Sequence, residues 1–254
     1  MTSNVGHPYL VSRSVQWPLG ALSFFALGCP TAPPEPLSVL DRDCAPAVEA
    51  DVEGQIDDLG HEPIVLLGAE VREWHCGDTV ALADSRGMFD LALQRADRPV
   101  ITVEYPEFVP VVVGMAVEDL FRGIEVSMYS RAGEIEFSVE DFGVPYDPEY
   151  GGLLVHFFTG MDAAASSVTG GARADIDLEY GTVWGLGPDD EHVETNVVPL
   201  DASSAEIWFH TVQPGMAVLD LQWPEGAVCT GPETLPVFAD TYTHANVYCE
   251  ADAG

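Results

Sequence analysis

Between Asp51 and Glu250, apolar and polar residues alternate in short runs separated by Gly, Pro, Asp and Ser. A period of two places successive side chains on opposite faces of an extended chain, which predicts strands rather than helices. The first series is "DVEGQIDD", "LLGAEVREW", "GDTVALADSRGMFDLAL", "RPVITVEY" and "FVPVVVGMAVE". In it Leu67, Ala69 and Val71 share a face, and Asp84-Ser85-Arg86-Gly87 forms a turn between two strands. "GIEVSMYS" either closes this unit or leads into the next. The second series is "EIEFSVEDF", "GLLVHFFTG", "GARADIDLEYGTVWGLG", "AEIWFHTVQPGMAVLDLQWPEGAVC" and "PVFADTYTHANVYCE", with a turn at Gln213-Pro214-Gly215. Strands spaced at about 8–12 residues predict an all-β fold of two β-sandwich domains in tandem, residues 44–126 and 127–254.

The N-terminal residues break this pattern. "WPLGALSFFALG", Trp17 to Gly28, carries no charge. As a helix it would reach about 18 Å, short of the ~30 Å hydrocarbon core of a bilayer, so it suits the apolar region of a signal peptide over residues 1–28. "ALGC", Ala26 to Cys29, resembles the lipobox of bacterial lipoproteins, in which the chain is cut before a cysteine whose thiol is lipidated. Ala26 stands where that motif usually has Leu. The resemblance implies lipidation at Cys29, export and a membrane-anchored protein. Pro30 after the cysteine, in place of Asp, implies the outer membrane or cell surface. "PTAPPEP" favours extended polyproline II geometry, so residues 29–43 read as a lipidated cysteine followed by a proline-rich tether.

Cysteine parity agrees with that division. Of five cysteines, removal of Cys29 leaves Cys44, Cys76, Cys229 and Cys249, enough for two disulfides in an oxidising compartment. Four cysteines permit three connectivities. We expect Cys44–Cys76 and Cys229–Cys249 because each pair then falls within one unit.

The first unit resembles the carboxypeptidase regulatory-like family, a transthyretin-type seven-stranded sandwich. The residues concerned are Gly54, Pro63, Gly68 to Val71, Thr79, Asp84, Gly87 to Phe89, Tyr105 and Pro110. Gly87 suits a turn with positive φ, after which Phe89 and Leu91 point into the core. The resemblance implies an accessory module and not a catalyst. Phe209, Val212, Pro214 and Gly215 resemble a turn of transthyretin-like sandwiches, which implies a second, divergent transthyretin/Ig-like copy.

Charge then narrows the function. Forty-two acidic residues face nine basic ones, all Arg, giving a net charge of −33. Such a chain repels phosphate backbones, so nucleic acid is excluded as a partner. The acids are spread along the chain and read as a solvated surface. "DPEYGG" and "GPDDEH" are candidate Ca²⁺ loops without EF-hand spacing and read as solvated loops. His75 beside Cys76 could begin a metal site, but a disulfide at Cys76 is the reading we adopt. No metal and no cofactor are expected.

No Gly-x-Ser-x-Gly elbow, His-Glu-x-x-His helix, P-loop or dinucleotide fingerprint occurs, so a non-catalytic protein is expected. Placing Ile207, Phe209, Ala245, Val247 and Cys249 in the core turns Trp208, His210, Tyr242, His244 and Tyr248 to the opposite face. That face is expected either to bind a carbohydrate, peptide or protein partner or to pack against the first unit or a loop.

Overall fold

The computed structural model describes residues 50–58, 65–74, 80–93, 100–115, 122–159, 169–188, 191–200, 202 and 204–251. The signal segment, the tether, Cys29, Cys44, Cys76, Pro63, His75 and Thr79 lie outside the described residues. Seven short strands come first: β1 (Ala50–Asp58), β2 (Glu70–Glu73), β3 (Val80–Leu82), β4 (Met88–Leu93), β5 (Val100–Glu104), β6 (Val111–Gly114) and β7 (Arg122–Met128). A helix, α1 (Arg131–Asp141), separates them from β8 (Gly151–Thr159), β9 (Arg173–Ile176), β10 (Thr182–Leu186), β11 (His192–Glu194), β12 (Glu206–Val212), β13 (Gly215–Gln222), β14 (Ala227–Thr230), β15 (Thr234–Val237) and β16 (Tyr242–Ala251).

The alternation works as expected in β4. Phe89, Leu91 and Leu93 are buried and the residues between them are less so. Just before β4, Gly87 adopts φ 76°, and a Cβ there would lie 2.6 Å from the Ile56 carbonyl oxygen. Asp84 Oδ1 closes the turn by accepting from the Arg86 and Met88 amides at 2.7 and 3.0 Å. The turn does not make a hairpin, however. β3 pairs with β2 while β4 pairs with β1, so the chain crosses between sheets. β12 and β13 separate likewise at Gln213-Pro214, and β15 and β16 at Ala239-Asp240.

Among the described residues the strands form three sheets. One has the order β4-β1-β7, with β7 parallel to β1. A second, β15-β13-β9, is also three-stranded. Between them runs a ten-stranded sheet in the order β11-β10-β12-β8-β16-β6-β5-β2-β3, with β14 added on β16. β16 enters this sheet in parallel with both β8 and β6. A single sheet therefore runs across the expected 126/127 boundary.

Two cores use opposite faces of that sheet. Val71, Ile101, Val103, Val111 and Val113 face Val52, Ile56, Phe89, Leu91, Ile124 and Val126 from β1, β4 and β7. Val112, Leu153, Val155, Ile207, Phe209, Ala245 and Val247 face Ala174, Ala217, Leu219, Leu235 and Val237 from β9, β13 and β15. β5 and β6 are covered on both sides, and all four residues of "VVVG" are buried. Their unbroken apolar run is the pattern a doubly covered strand requires.

Two expectations are corrected. Leu67 does not join Ala69 and Val71; it is exposed in a turn with Gly68 (φ 84°), and Leu66 occupies the core. "EIEFSVEDF" is not a strand but most of α1. Ser130 caps this helix by accepting from the Gly133 amide at 3.1 Å, and Gly143 ends it with φ 65°. The apparent alternation of Ile135, Phe137 and Val139 does not mark a buried face, because Ile135 and Val139 are exposed while Glu134 and Ser138, one turn apart, are buried.

Candidate functional site

The helix α1 lies on the sheet face carrying Trp208, His210 and Tyr242. Its Phe137 ring meets Trp208 at 6.0 Å, and Phe142, just past its end, lies 4.0 Å from the His210 ring. Register sets the neighbours below. Trp208 and His244 flank Leu154 on β12, β8 and β16. Tyr242 pairs with Gly152, and its ring lies over that glycine, where a Cβ would come within 2.3 Å of the Tyr242 ring.

The register of β12 with β8 slips between Phe209 and Val212. Two residues, His210 and Thr211, occupy this irregularity, and Thr211 takes φ 51°. Bulges of this kind redirect side chains. A small cleft of about 30 Å³ opens beside it, lined by His210, Thr211, Gly151, Gly152, Tyr242 and, from α1, Glu134 and Ser138. Tyr146, Asp147 and Tyr150 also border the cleft.

Glu134 is the unusual group here, with 0% exposure. Its Oε1 accepts from Ser138 Oγ at 2.5 Å and from the Tyr242 hydroxyl. Among the described residues its Oε2 has no hydrogen-bond partner, and neither has His210 Nε2. Burial raises the Glu134 carboxyl above its ordinary range, against the pull of its two hydroxyl donors. Burial and then the Glu134 charge push Tyr242 well up. Burial, helped by nearby His192, holds His210 down at about 4. Beside the cleft, Asp240 accepts from Arg131 at 2.5 Å and from the Tyr146 hydroxyl, fixing the start of α1 to the turn before β16. The cleft thus combines a buried acid and a neutral imidazole, each with one unused polar atom. Among the described residues, no group of three or more His, Cys, Asp or Glu side chains could hold a metal ion.

The expected aromatic face is largely interior. Trp208, His210, Tyr242 and His244 are 6%, 4%, 5% and 7% exposed, so for these four residues packing against the first unit, and not an exposed binding face, is the alternative that holds. The sorting by period two is right: Ile207 and Phe209 belong to one core and Trp208 to the other. The opposite face is covered because α1 and the first core lie upon it. Tyr248 alone of the five is half-buried, stacked on Phe158 at 5.4 Å, which stacks on His156 at 3.9 Å. Cys229 and Cys249 are register partners on β14 and β16 and form a disulfide, as expected.

No protein-family model matches the chain, and no curated protein matches it in sequence. Among solved structures it is similar to the Bacillus anthracis TIE protein, at 14% identity over 79% of this chain and 34% of that one, with a TM-score of 0.26. It is also similar to GBS52, the minor pilin of Streptococcus agalactiae, at 10% identity over 79% of this chain and 96% of that one (TM-score 0.27). The shaft pilin SpaA of Lactobacillus rhamnosus GG is 11% identical over 80% of this chain and 98% of that one (TM-score 0.23). The β-sandwich architecture follows from this chain's own strand pairing and two cores.

Sequence reasoning missed Glu134 because it sits in a segment read as a strand. Its helix was nevertheless marked by Ser130 at the start and by Gly143 and Pro145 at the end.

Proposed function

We propose that this is a non-catalytic protein exported to the cell surface, anchored by lipid on Cys29 and displaying its β-sandwich layers as a structural or binding module. The observation that carries the reading is the Cys229–Cys249 disulfide, which belongs in an oxidising compartment. The lipobox-like "ALGC" and the proline-rich stretch after it supply the anchor and the tether. Pairing of Cys44 with Cys76 completes the parity. Seven strands, three in one sheet and four in the next, support assigning residues 44–126 to the carboxypeptidase regulatory-like type.

Mass spectrometry of the membrane fraction tests this reading. A mature N-terminus at acylated Cys29 with two disulfides is expected. An unmodified chain beginning at Met1 with free thiols refutes it.

A second reading rests on the half-buried His156–Phe158–Tyr248 ladder, which offers stacked rings to a carbohydrate or peptide. Titration with oligosaccharides and peptides, comparing wild type with Tyr248→Ala, tests it. Binding that survives the substitution unchanged removes the ladder from the site.

A further inference from the structure

Glu134 and His210 line the same cleft from different elements, and each is more than nine-tenths buried. Each also leaves one polar atom without a hydrogen bond, Oε2 and Nε2 respectively. Such atoms are costly inside a protein unless a bound group or water completes them. No positively charged side chain among the described residues lines the cleft; Arg131 is committed to Asp240. His210 is neutral in this surrounding, so with its proton on Nδ1 it presents a lone pair at Nε2.

What the cleft lacks is therefore a donor with more than one N–H, carrying a positive charge. We propose that it binds a primary ammonium group, with Glu134 as counter-ion and His210 Nε2 as a second acceptor. A volume of about 30 Å³ admits a group of roughly one or two heavy atoms, the size of a methylammonium end. A hard metal cation fits less well, since Ca²⁺ and Mg²⁺ take six or more oxygen ligands and make little use of an imidazole nitrogen. The chain contains no Lys, so apart from its α-amino group it has no primary amine of its own. With no lysine side chain in the chain to fill the cleft, the ligand proposed is either a small free amine or the side chain of a partner's lysine. The net charge of −33 favours the approach of either. This inference stands whether or not Cys29 is lipidated.

The test is calorimetric titration of the purified full-length chain, with the histidine ring resonances followed by NMR. Three ligands are compared at constant ionic strength: methylammonium chloride, Nα-acetyl-lysine N-methylamide and tetramethylammonium chloride. Saturable binding of the first, with a shift of the His210 ring signals and no response to sodium or to the third, is expected, because sodium has the charge without N–H donors and the third lacks them and is also larger than the cleft. Tighter binding of the lysine derivative than of methylammonium assigns the site to a partner's lysine; the reverse assigns it to a free amine. Glu134→Gln should weaken binding at least tenfold. If that variant fails to fold, the wild-type contrast between methylammonium and sodium, a small cation without N–H donors, decides alone. No saturable shift with either primary amine, or an equal response to sodium or tetramethylammonium, overturns the proposal. These outcomes are independent of the mass-spectrometric test of anchoring.

Discussion

His244 on β16 is buried, its Nε2 has no partner among the described residues, and burial, then nearby His156, holds it down at about 4. In the unfolded chain a histidine titrates near 6.5. Below that pH the unfolded state takes up a proton that the folded state refuses, so stability falls with pH. The loss begins as pH drops through about 6.5 and levels off below about 4. Linkage puts it at about 2 kcal/mol at pH 5 and about 3 kcal/mol at pH 4. Other groups act in the same range. His210 contributes a similar loss, whereas relief of the −33 charge and of the buried Glu134 acid both favour the folded state on acidification. A single melting curve cannot separate these, but a comparison can. His244→Leu removes the titration and the unpaired nitrogen together. Urea unfolding at pH 7, 6 and 5 should show the variant losing about 2 kcal/mol less than wild type between pH 7 and pH 5. Parallel pH profiles for the two proteins would mean that His244 is hydrated or charged in the folded state, and the reasoning from burial would fail.

Gly152→Ala would bring a Cβ within 2.3 Å of the rigid Tyr242 ring, so about 1–3 kcal/mol of destabilisation is expected by thermal denaturation. Cys249→Ala opens a cross-link between residues 20 apart and should cost about 3 kcal/mol in urea, with a similar loss for Cys229→Ala. Ser130→Ala removes the cap of α1 and should cost about 1 kcal/mol, without changing the cost of Cys249→Ala when the two are combined, since the cap and the disulfide share no partner.

Period-two patterning located most strands here, because a strand whose apolar residues all lie on one face obeys it plainly. Phe89, Leu91 and Leu93 are one case, and Ala245, Val247 and Cys249 another. It misled where a third layer intervenes. From sequence, Trp208 and Tyr242 could be placed only on the face opposite Phe209 and Val247. Whether solvent or protein met them depended on α1, and α1 was hidden by the chance alternation of Ile135, Phe137 and Val139. The paired glycines, the bulge at His210-Thr211 and the acid at Glu134 come from separate strands and a helix. Only the tertiary arrangement gathers them into a cleft.

The placement of β16 has a consequence for how the chain reaches its native state. This last strand lies between β6 and β8 and touches both cores through Tyr242 and Val247. Until it arrives, the ten-stranded sheet is two pieces with unpaired inner edges. Such edges are templates for pairing with other chains. Contacts between residues 111–114 and 242–245 are among the most distant in sequence, and distant pairings form slowly. A nascent or clipped chain lacking Tyr242–Ala251 should therefore be prone to aggregation, and a supplied peptide of that sequence should rescue it by completing the sheet.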